Sequence, residues 1–316
     1  VDQHYRRRHG CFRLWGLYVA AGSCPPWSTM GSRRFRLTLI TVLVGTVLSA
    51  VCGLIIVASW SQRSRTDGAS RAPSTSSMSA RGAVPTRSIT VLDTLPWPQD
   101  AFTEGLDRFP QGQSLVSTGR YGRSEVYFLN DDGHRAHVHY LPRKYFGEGI
   151  AATPTALWQL TWKAGHAIRR DRQSLAATGS AHYEGEGWGL CYDGHNLLMS
   201  DGSNRLTRRD SSTFEKRSSL SVTLGSRPVG NINELDCAHN RIVANVWHRD
   251  ELIVIDPASG RVTSVIDASE LAPARDATGE NVLNGVASDP EDPTILYLTG
   301  KLGPHMYRVR VDGLGG

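Results

Sequence analysis

Two sets of side chains with chemical potential occupy equivalent places in five repeated segments of the sequence. The first set precedes an apolar stretch in each repeat and consists of Glu104, Glu148, Trp188, Asn233 and Asn284. The second set follows the next apolar stretch and consists of Gly119-Arg120, Trp162-Lys163, Asp201-Gly202, Trp247-His248 and Gly300-Lys301. Carboxylates can move protons, and amide and ammonium groups can donate hydrogen bonds to negative charge that develops during a reaction. Indole rings can enclose a small substrate.

Each of these residues also has a structural interpretation. A carboxylate at a strand entrance often caps a turn, a Trp in a sheet often packs in the core, and an Asn often bridges backbone groups. Lys301 alone would be read as a solvated surface charge. A functional site is favoured only because all of them would meet on one rim if the repeats form a ring.

The repeats predict such a ring. Each begins with a small residue and an aliphatic one, continues through an apolar strand and an alternating strand, and ends in a polar turn. Successive repeats begin 44, 40, 45 and 51 residues apart, the period of four-stranded propeller blades. No long helical period competes with this pattern. The sequence therefore predicts an all-β, five-bladed β-propeller over residues 88–316.

The ring also has a predicted closure. A fourth strand follows each of the first four repeats, but the fifth ends with Val309-Arg310-Val311 as its last strand. The segment Ser88–Leu92 precedes the first blade and has no other partner. We therefore expect it to supply the outer strand of the fifth blade, which would protect an exposed sheet edge.

The N-terminal region has a different composition. Residues 1–89 carry twelve Lys and Arg against two acidic residues, whereas the remainder carries 23 bases against 28 acids. The folded part is thus mildly acidic, which argues against a nucleic-acid partner. We expect residues 1–36 to be a basic cytoplasmic tail, with 1–29 upstream of a second candidate start at Met30.

A single membrane segment is predicted next. The uncharged run Leu37–Trp60 is long enough to span a bilayer and follows closely spaced arginines, so we expect it to anchor the propeller outside the cytoplasm. Val57-Ala58-Ser59 also allows cleavage as a signal peptide, which would release a secreted protein. Residues 61–87 are rich in Ser, Arg, Thr, Gly and Ala and are predicted to form a flexible stalk.

Two cysteines, Cys191 and Cys237, lie in the globular part and lack the spacing of metal ligands. They stand one step out of register on neighbouring innermost strands. That offset argues against a disulfide between them, without settling the question.

Ten short motifs resemble, in order and spacing, those of the plant and bacterial glutaminyl cyclases. They are Phe102–Leu106, Ser117–Gly119, Phe146–Gly149, Leu160–Trp162, Gly185–Leu190, Met199–Ser203, Asn231–Leu235, Ala244–Trp247, Asn281–Gly285 and Thr299–Leu302. Each motif alone is weak, but ten in register are specific. Two positions depart from the family pattern: Glu104 stands where many relatives have Gln, and Gly303 stands where a Trp is usual.

The resemblance implies roles for individual residues. Glu148 resembles the catalytic carboxylate, and Asn233 and Lys301 resemble the groups that hold the γ-carboxamide of the substrate. The walls of the substrate pocket would be formed by Phe102, Trp162, Trp188 and Trp247, with Glu104 holding substrate beside them.

The implied reaction is an intramolecular aminolysis of peptides or proteins that begin with Gln. The α-nitrogen attacks the γ-carbonyl, closes a lactam (pyroglutamate) and expels ammonia. It requires a proton carrier, a folded substrate and a donor to the carbonyl oxygen, but neither a nucleophilic Ser nor a catalytic metal. We therefore expect no metal ligands and no cofactor requirement, although the resemblance allows a structural calcium ion in the channel. The enzyme is expected to act as a monomer.

Two other functions remain open at this point. A ring of Glu and Asn around a propeller axis also describes calcium-dependent lactonases and related hydrolases, whose activity would vanish with a chelator. The propeller could instead be a non-catalytic module that binds a ligand of the cell envelope. The three Trp and the Lys at the mouth favour the cyclase.

Overall fold

The structure, a computed structural model, describes residues 84–272 and 278–315. Within them the chain forms five blades, each built on four antiparallel strands, and a short parallel strand adds to the outer edge of blade 4. Two strands come first, β1 (Thr86–Arg87) and β2 (Ile89–Pro96). Blade 1 then contains β3 (Thr103–Phe109), β4 (Gln113–Thr118), β5 (Glu125–Asn130) and β6 (Arg135–Tyr140). Blade 2 contains β7 (Gly147–Ala152), β8 (Leu157–Thr161), β9 (His166–Arg170) and β10 (Ala177–His182).

The second half of the ring continues the same plan. Blade 3 contains β11 (Leu190–Tyr192), β12 (Asn196–Met199), β13 (Arg205–Asp210) and β14 (Lys216–Ser221), followed by a small hairpin of β15 (Thr223–Leu224) and β16 (Arg227–Pro228). Blade 4 contains β17 (Ile232–Ala238), β18 (Arg241–Val246), β19 (Glu251–Ile255) and β20 (Val262–Asp267), followed by a 3₁₀ helix over Ser269–Leu271. Blade 5 contains β21 (Leu283–Ser288), β22 (Ile295–Gly300), β23 (His305–Val311) and the early strand β2. The predicted all-β, five-bladed fold is confirmed.

The predicted closure is also confirmed. Strand β2 pairs antiparallel with β23, from Ile89 opposite Val311 to Pro96 opposite His305. The preceding strand β1 pairs in parallel with β20 at the outer edge of blade 4, through Thr86 and Val265. Strand β1 therefore lies at the end of the segment predicted to be a stalk, residues 61–87.

The core lies between the blades rather than inside any one of them. Each buried apolar cluster joins the facing sheets of two neighbouring blades, and five such clusters complete the ring. Because side chains alternate along a strand, one strand serves two interfaces. Ile253 and Ile255 of β19 pack toward blade 3, whereas Leu252 and Val254 pack toward blade 5. The five innermost strands contact one another in sequence around a central channel.

A disulfide joins Cys191 in β11 to Cys237 in β17, with the Cα atoms 5.4 Å apart. The expectation from strand register that Cys191 and Cys237 do not pair is therefore wrong. Register constrains hydrogen-bonded partners in one sheet, but Cys191 pairs with Leu198 and Cys237 pairs with Ile242, each in its own blade. Because β11 and β17 belong to different sheets, no ladder of backbone hydrogen bonds fixes the offset between them. A difference of one residue in repeat position therefore does not keep the two sulfur atoms apart.

The predicted basic tail, the membrane segment Leu37–Trp60 and all of the stalk up to residue 83 lie outside the described residues. Within residues 84–272 and 278–315, no helix combines the length and apolar character needed to cross a membrane.

Candidate active site

A cavity of about 390 Å³ opens at one end of the central channel. All eight residues predicted to act on or bind substrate line it: Phe102, Glu104, Glu148, Trp162, Trp188, Asn233, Trp247 and Lys301. Four further residues complete the lining: Arg120, Tyr121, Phe146 and Glu280. The structure thus brings together side chains separated by up to 199 positions in the sequence, although their roles remain predictions.

Local irregularities in the innermost strands hold the polar members of the site. The register of the inner pair shifts between Thr103 and Gly105 in blade 1, and between Gly147 and Ile150 in blade 2. Blades 4 and 5 show equivalent shifts, between Ile232 and Leu235 and between Leu283 and Val286. Glu104, Glu148, Asn233 and Asn284 lie inside these shifts. A bulge redirects a side chain out of the regular alternation.

One repeated backbone hydrogen bond fixes the residues that follow the second strands. The amide N–H of Trp162 donates to Phe146 O at 3.0 Å, that of Trp247 to Asn231 O at 2.8 Å, and that of Lys301 to Val282 O at 2.9 Å. In blades 2, 4 and 5 this bond ties the end of the second strand to the segment entering the innermost strand. The two predicted rings of residues are therefore held side by side by the same geometry in each of these blades.

Glu104 and Lys301 form a buried ion pair at the base of the cavity. Lys301 Nζ lies 2.7 Å from Glu104 Oε1, and the side chains are 12% and 1% exposed. Asn284 Nδ2 donates to the other oxygen, Glu104 Oε2, at 3.1 Å and to Thr103 O at 2.9 Å. Glu104 is therefore engaged by protein groups on both oxygens, and Asn284 supports Glu104 rather than lining the cavity.

Glu148 is the second buried carboxyl of the site. Burial raises its pKa well above the ordinary value for Glu, and the neighbouring charge of Glu104 raises it further, while Lys301 opposes the shift. Burial also raises the pKa of Glu104, against the opposing effect of its ion pair with Lys301. The lysine stays charged, because the two carboxylates outweigh its burial and raise its pKa. Of these three groups, Glu148 has the carboxyl whose affinity for a proton is raised well above the ordinary value, which suits it to accept a proton.

Aromatic rings form the rest of the wall. Phe102 and Phe146 meet edge to face with centroids 6.2 Å apart, and Phe146 lies 5.4 Å from Trp162. On the other side Trp188 and Trp247 meet edge to face at 5.6 Å. Gly202 lies against the Trp188 ring with φ +79°, and a Cβ there would come within 2.7 Å of the indole. This glycine is required both by its backbone conformation and by the close approach of the ring.

Comparisons with known proteins decide the family. Residues 66–311 match the family model described as glutamine cyclotransferase. The chain is 33% identical, over 228 residues, to a glutaminyl-peptide cyclotransferase of Arabidopsis thaliana, which covers 71% of each chain. The crystal structure of Myxococcus xanthus glutaminyl cyclase superposes with a TM-score of 0.67 at 35% identity, covering 72% of this chain and 98% of that one.

The chain belongs to the glutamine cyclotransferase family.

In this member of the family, the sequence interpretation missed part of the pocket. Phe146 stands two residues before Glu148, just as Phe102 stands two residues before Glu104. That shared repeat position was the signal that could have identified it. Tyr121, which is 55% exposed and lies edge to face with Phe146 at 5.4 Å, carries no such signal.

Arg120 and Glu280 form part of the rim of the cyclotransferase pocket. The Arg120 guanidinium lies 4.6 Å from the centroid of the Phe102 ring, and its backbone has φ 93°. A positive φ is uncommon outside Gly and turns the chain sharply, which directs this side chain toward the mouth. Glu280 comes from the long connection before blade 5, where the repeat pattern offers no equivalent position.

Apart from its glycines, three members of the second predicted ring do not line the cyclotransferase pocket. Asp201 accepts hydrogen bonds from the backbone and hydroxyl of Ser203, as a turn residue does. Lys163 lies 3.9 Å from the centroid of the Trp162 ring, and His248 lies 4.0 Å from Trp247. Lys163 and His248 therefore pack against the indole rings of Trp162 and Trp247 and do not line the cavity.

A channel calcium, which the family resemblance allows, does not fit the donors present. No three His, Cys, Asp or Glu side chains in the described parts of the chain are grouped to hold a metal ion. Asp107 and Asp236 accept hydrogen bonds from Ala152 N at 2.9 Å and Ser288 Oγ at 2.5 Å, and burial raises the pKa of Asp107 to about 6. Glu234 Oε2 alone lacks a hydrogen-bond partner among them, and Ca²⁺ takes about six to eight oxygens.

Proposed function

We propose that the cavity is the active site at which this cyclotransferase converts the N-terminal glutamine of peptides and proteins to pyroglutamate, with Glu148 as the proton carrier. One observation carries the assignment. Glu148 is 5% exposed and lines an aromatic cavity beside the Glu104–Lys301 ion pair. Its burial first, and the charge of Glu104 second, raise its pKa, while Lys301 keeps a positive charge in the site.

The reaction begins with proton removal. Ionised Glu148 takes a proton from the α-amino group of the substrate, and the freed nitrogen lone pair forms a bond to the γ-carbonyl carbon. The electron pair of the carbonyl moves onto its oxygen. Glu148 gives its proton to the amide nitrogen as the carbonyl re-forms and the bond to that nitrogen breaks, so that ammonia leaves. The ring nitrogen, which still carries one extra proton from the original ammonium group, releases that proton to the departing ammonia. The products are the neutral lactam and ammonium, and Glu148 is again ionised. A raised pKa suits both steps, because the same group must accept and then give up a proton.

Lys301 and Asn233 are the proposed donors to the carbonyl oxygen. Both line the cavity, and Lys301 keeps its positive charge although its side chain is largely buried. A donor that is already oriented stabilises developing negative charge without reorganisation. Glu104 is proposed to hold Lys301 in place, which is more specific than the substrate-holding role expected from sequence.

The aromatic wall is proposed to fold the glutamine side chain back toward its own amino group. A cavity with rigid aromatic walls favours the folded conformer of the glutamine side chain, in which the reacting atoms are in contact. The indole faces of Trp162, Trp188 and Trp247 also offer favourable contacts to the ammonium group of the substrate.

The test is ammonia release from a dipeptide that begins with Gln, measured with and without EDTA. Equal turnover in both conditions is the expected result. Loss of turnover on chelation, restored by Ca²⁺, would instead support the lactonase-like hydrolase. Tight peptide binding without ammonia release would support a non-catalytic propeller. The similarity to cyclotransferases favours neither alternative.

We further propose that the catalytic domain works outside the cytoplasm as a monomer, anchored by Leu37–Trp60 or secreted after cleavage of that segment. The Cys191–Cys237 disulfide supports the location, because such bonds persist in oxidising compartments. Cell fractionation and sedimentation of the purified protein test the two statements.

A further inference from the structure

Glu186 connects two walls of the pocket although it is not among the residues that line it. Its Oε2 atom accepts a hydrogen bond from Trp162 Nε1 at 2.6 Å and a second from Trp188 Nε1 at 3.0 Å. The other oxygen, Oε1, lies 3.6 Å from Lys163 Nζ. Trp162 follows the second strand of blade 2, whereas Trp188 precedes the innermost strand of blade 3.

This connection falls at a break in the aromatic wall. The ring contacts run from Phe102 through Phe146 to Trp162, and separately from Trp188 to Trp247. No ring contact joins Trp162 to Trp188 within residues 84–272 and 278–315. The Glu186 carboxylate bridges that break with two charge-assisted hydrogen bonds, which are stronger and more directional than contacts between rings.

Lys163 completes the arrangement. Its ammonium group lies 3.9 Å from the centroid of the Trp162 ring and pairs with Glu186. Although burial alone would raise the pKa of Glu186, the hydrogen bonds from Trp188 and Trp162 and the charge of Lys163 lower it. The Glu186 carboxyl therefore loses its proton at a lower pH than the Glu148 carboxyl, whose pKa is raised.

We infer that Glu186 is a positioning residue of the cyclotransferase, which fixes the spacing of Trp162 and Trp188 and thereby the width of the substrate pocket. This inference rests on the proposed assignment of the cavity as the active site. Glu186 contacts no reacting atom in that assignment. It acts through the two indoles, whose separation decides whether the glutamine side chain is held in its folded conformer.

The first experiment compares Glu186→Leu and Glu186→Gln with the same substitutions at Glu184. Glu184 is exposed, lies two residues away in the same loop and serves as the matched control. Leu removes both acceptors, so kcat/KM should fall about 10- to 100-fold, as expected for loss of hydrogen bonds to a charged group. Gln keeps one carbonyl oxygen for the indole N–H groups and should recover most of the loss. The near-UV circular dichroism of the indoles should change in Glu186→Leu and in neither Glu184 variant.

A double-mutant cycle separates positioning from direct electrostatic action on the substrate. Trp162→Phe removes one donor, so Glu186→Leu should cost markedly less in that background than in the wild-type protein. Full additivity of the two changes would overturn the inference, as would equal losses in Glu186→Leu and Glu186→Gln. The inference also fails if Glu186→Leu keeps kcat/KM within twofold of the wild type.

If Glu186→Leu does not fold, Glu186→Gln is compared with the wild type, alone and in the Trp162→Phe background. The inference is sustained if Glu186→Gln keeps most of the wild-type kcat/KM and the wild-type near-UV spectrum of the indoles. Loss of either would overturn it. Absence of ammonia release from the wild-type protein would reject the proposed function. The change in the indole spectrum would still report whether Glu186 holds the two rings.

Discussion

Replacing Glu148 by Gln tests the proposed proton carrier most directly. The substitution keeps the shape and hydrogen-bonding capacity of the side chain but removes its ability to take up and return a proton. General acid–base catalysis contributes about 10²–10⁴-fold, so kcat should fall by about that factor. At about 1.4 kcal/mol for each tenfold, this corresponds to about 3–5 kcal/mol of transition-state stabilisation.

The fold should not suffer from this change. The pKa of Glu148 is raised in the folded state, by burial first and by the charge of Glu104 second. A carboxyl whose folded pKa is raised contributes stability below its unfolded pKa and loses it as the pH rises through the folded value. Gln does not ionise, so the melting temperature of Glu148→Gln at pH 8 should equal or exceed that of the wild type.

Glu104→Gln is the matched comparison, because Glu104 is also buried and occupies the equivalent bulge of the neighbouring blade. Removing its negative charge removes one cause of the raised pKa of Glu148 and leaves Lys301 to act on Glu148 alone. The pKa of Glu148 should therefore fall. The acidic limb of the kcat/KM profile, where Glu148 must lose its proton to act as a base, should move to lower pH with a much smaller loss of kcat.

The assay is ammonia release from a Gln-initiated dipeptide across pH 5–9, with thermal melts of each variant. A greater loss of kcat in Glu104→Gln than in Glu148→Gln would transfer the catalytic role to blade 1. An acidic limb that moves to higher pH in Glu104→Gln would refute the electrostatic coupling described for the site. If neither substitution affects turnover, the proposed mechanism is wrong.

Three further predictions concern the pocket wall, the disulfide and the closure of the ring. Trp188→Ala should lower kcat/KM about 5- to 30-fold, the factor that corresponds to losing about 1–2 kcal/mol of contact with the substrate cation, while the melting temperature changes little. A lower melting temperature with unchanged kcat/KM would make Trp188 a packing residue. Replacing both Cys191 and Cys237 by Ser should reduce the free energy of unfolding by up to about 4 kcal/mol, the loss of chain entropy expected for a loop of 46 residues. Urea denaturation of the variant and of the oxidised wild-type protein measures the difference. An unchanged midpoint would mean that the bond does not constrain the unfolded chain. A protein that begins after Pro96 lacks strands β1 and β2 and should melt at a lower temperature than one that begins at Val84. The reason is that β23 would lose its outer antiparallel partner and β20 its short parallel partner. Equal melting temperatures would mean that closure of the ring by β2 does not stabilise the fold.

Much of the fold could be read from the sequence because it is repetitive. A period of 40 to 51 residues, with alternating apolar residues in each strand, specifies blades that must pack face to face to bury their side chains. Ser88–Leu92 could be assigned to blade 5 because it was the one strand without a local partner. The same repetition identified the site, since Glu104 and Glu148 occupy one repeat position and any ring brings equivalent positions together.

The interactions between blades could not be read in this way. The periodicity of apolar residues indicates which face of a strand is buried. It does not indicate the offset along the strand direction between one sheet and the next, and the Cys191–Cys237 disulfide was therefore not predicted. The bulges that turn Glu148 and Asn233 into the cavity are likewise set by local backbone pairing, which leaves the residue pattern unchanged.

The tertiary structure also decided which charges pair. Glu104 and Lys301 are 197 residues apart in sequence and belong to the first and last blades, so their ion pair exists only because the ring closes. The contacts of Glu186 could not be predicted either, although one of its partners is only two residues away. Nothing in the sequence around Glu186 indicates that its carboxylate accepts hydrogen bonds from two indoles on different blades. The sequence by itself determined the blades and the residue types at the mouth of the channel. Closure of the ring determined the distances between them, and with those distances the pKa of Glu148 and the width of the pocket.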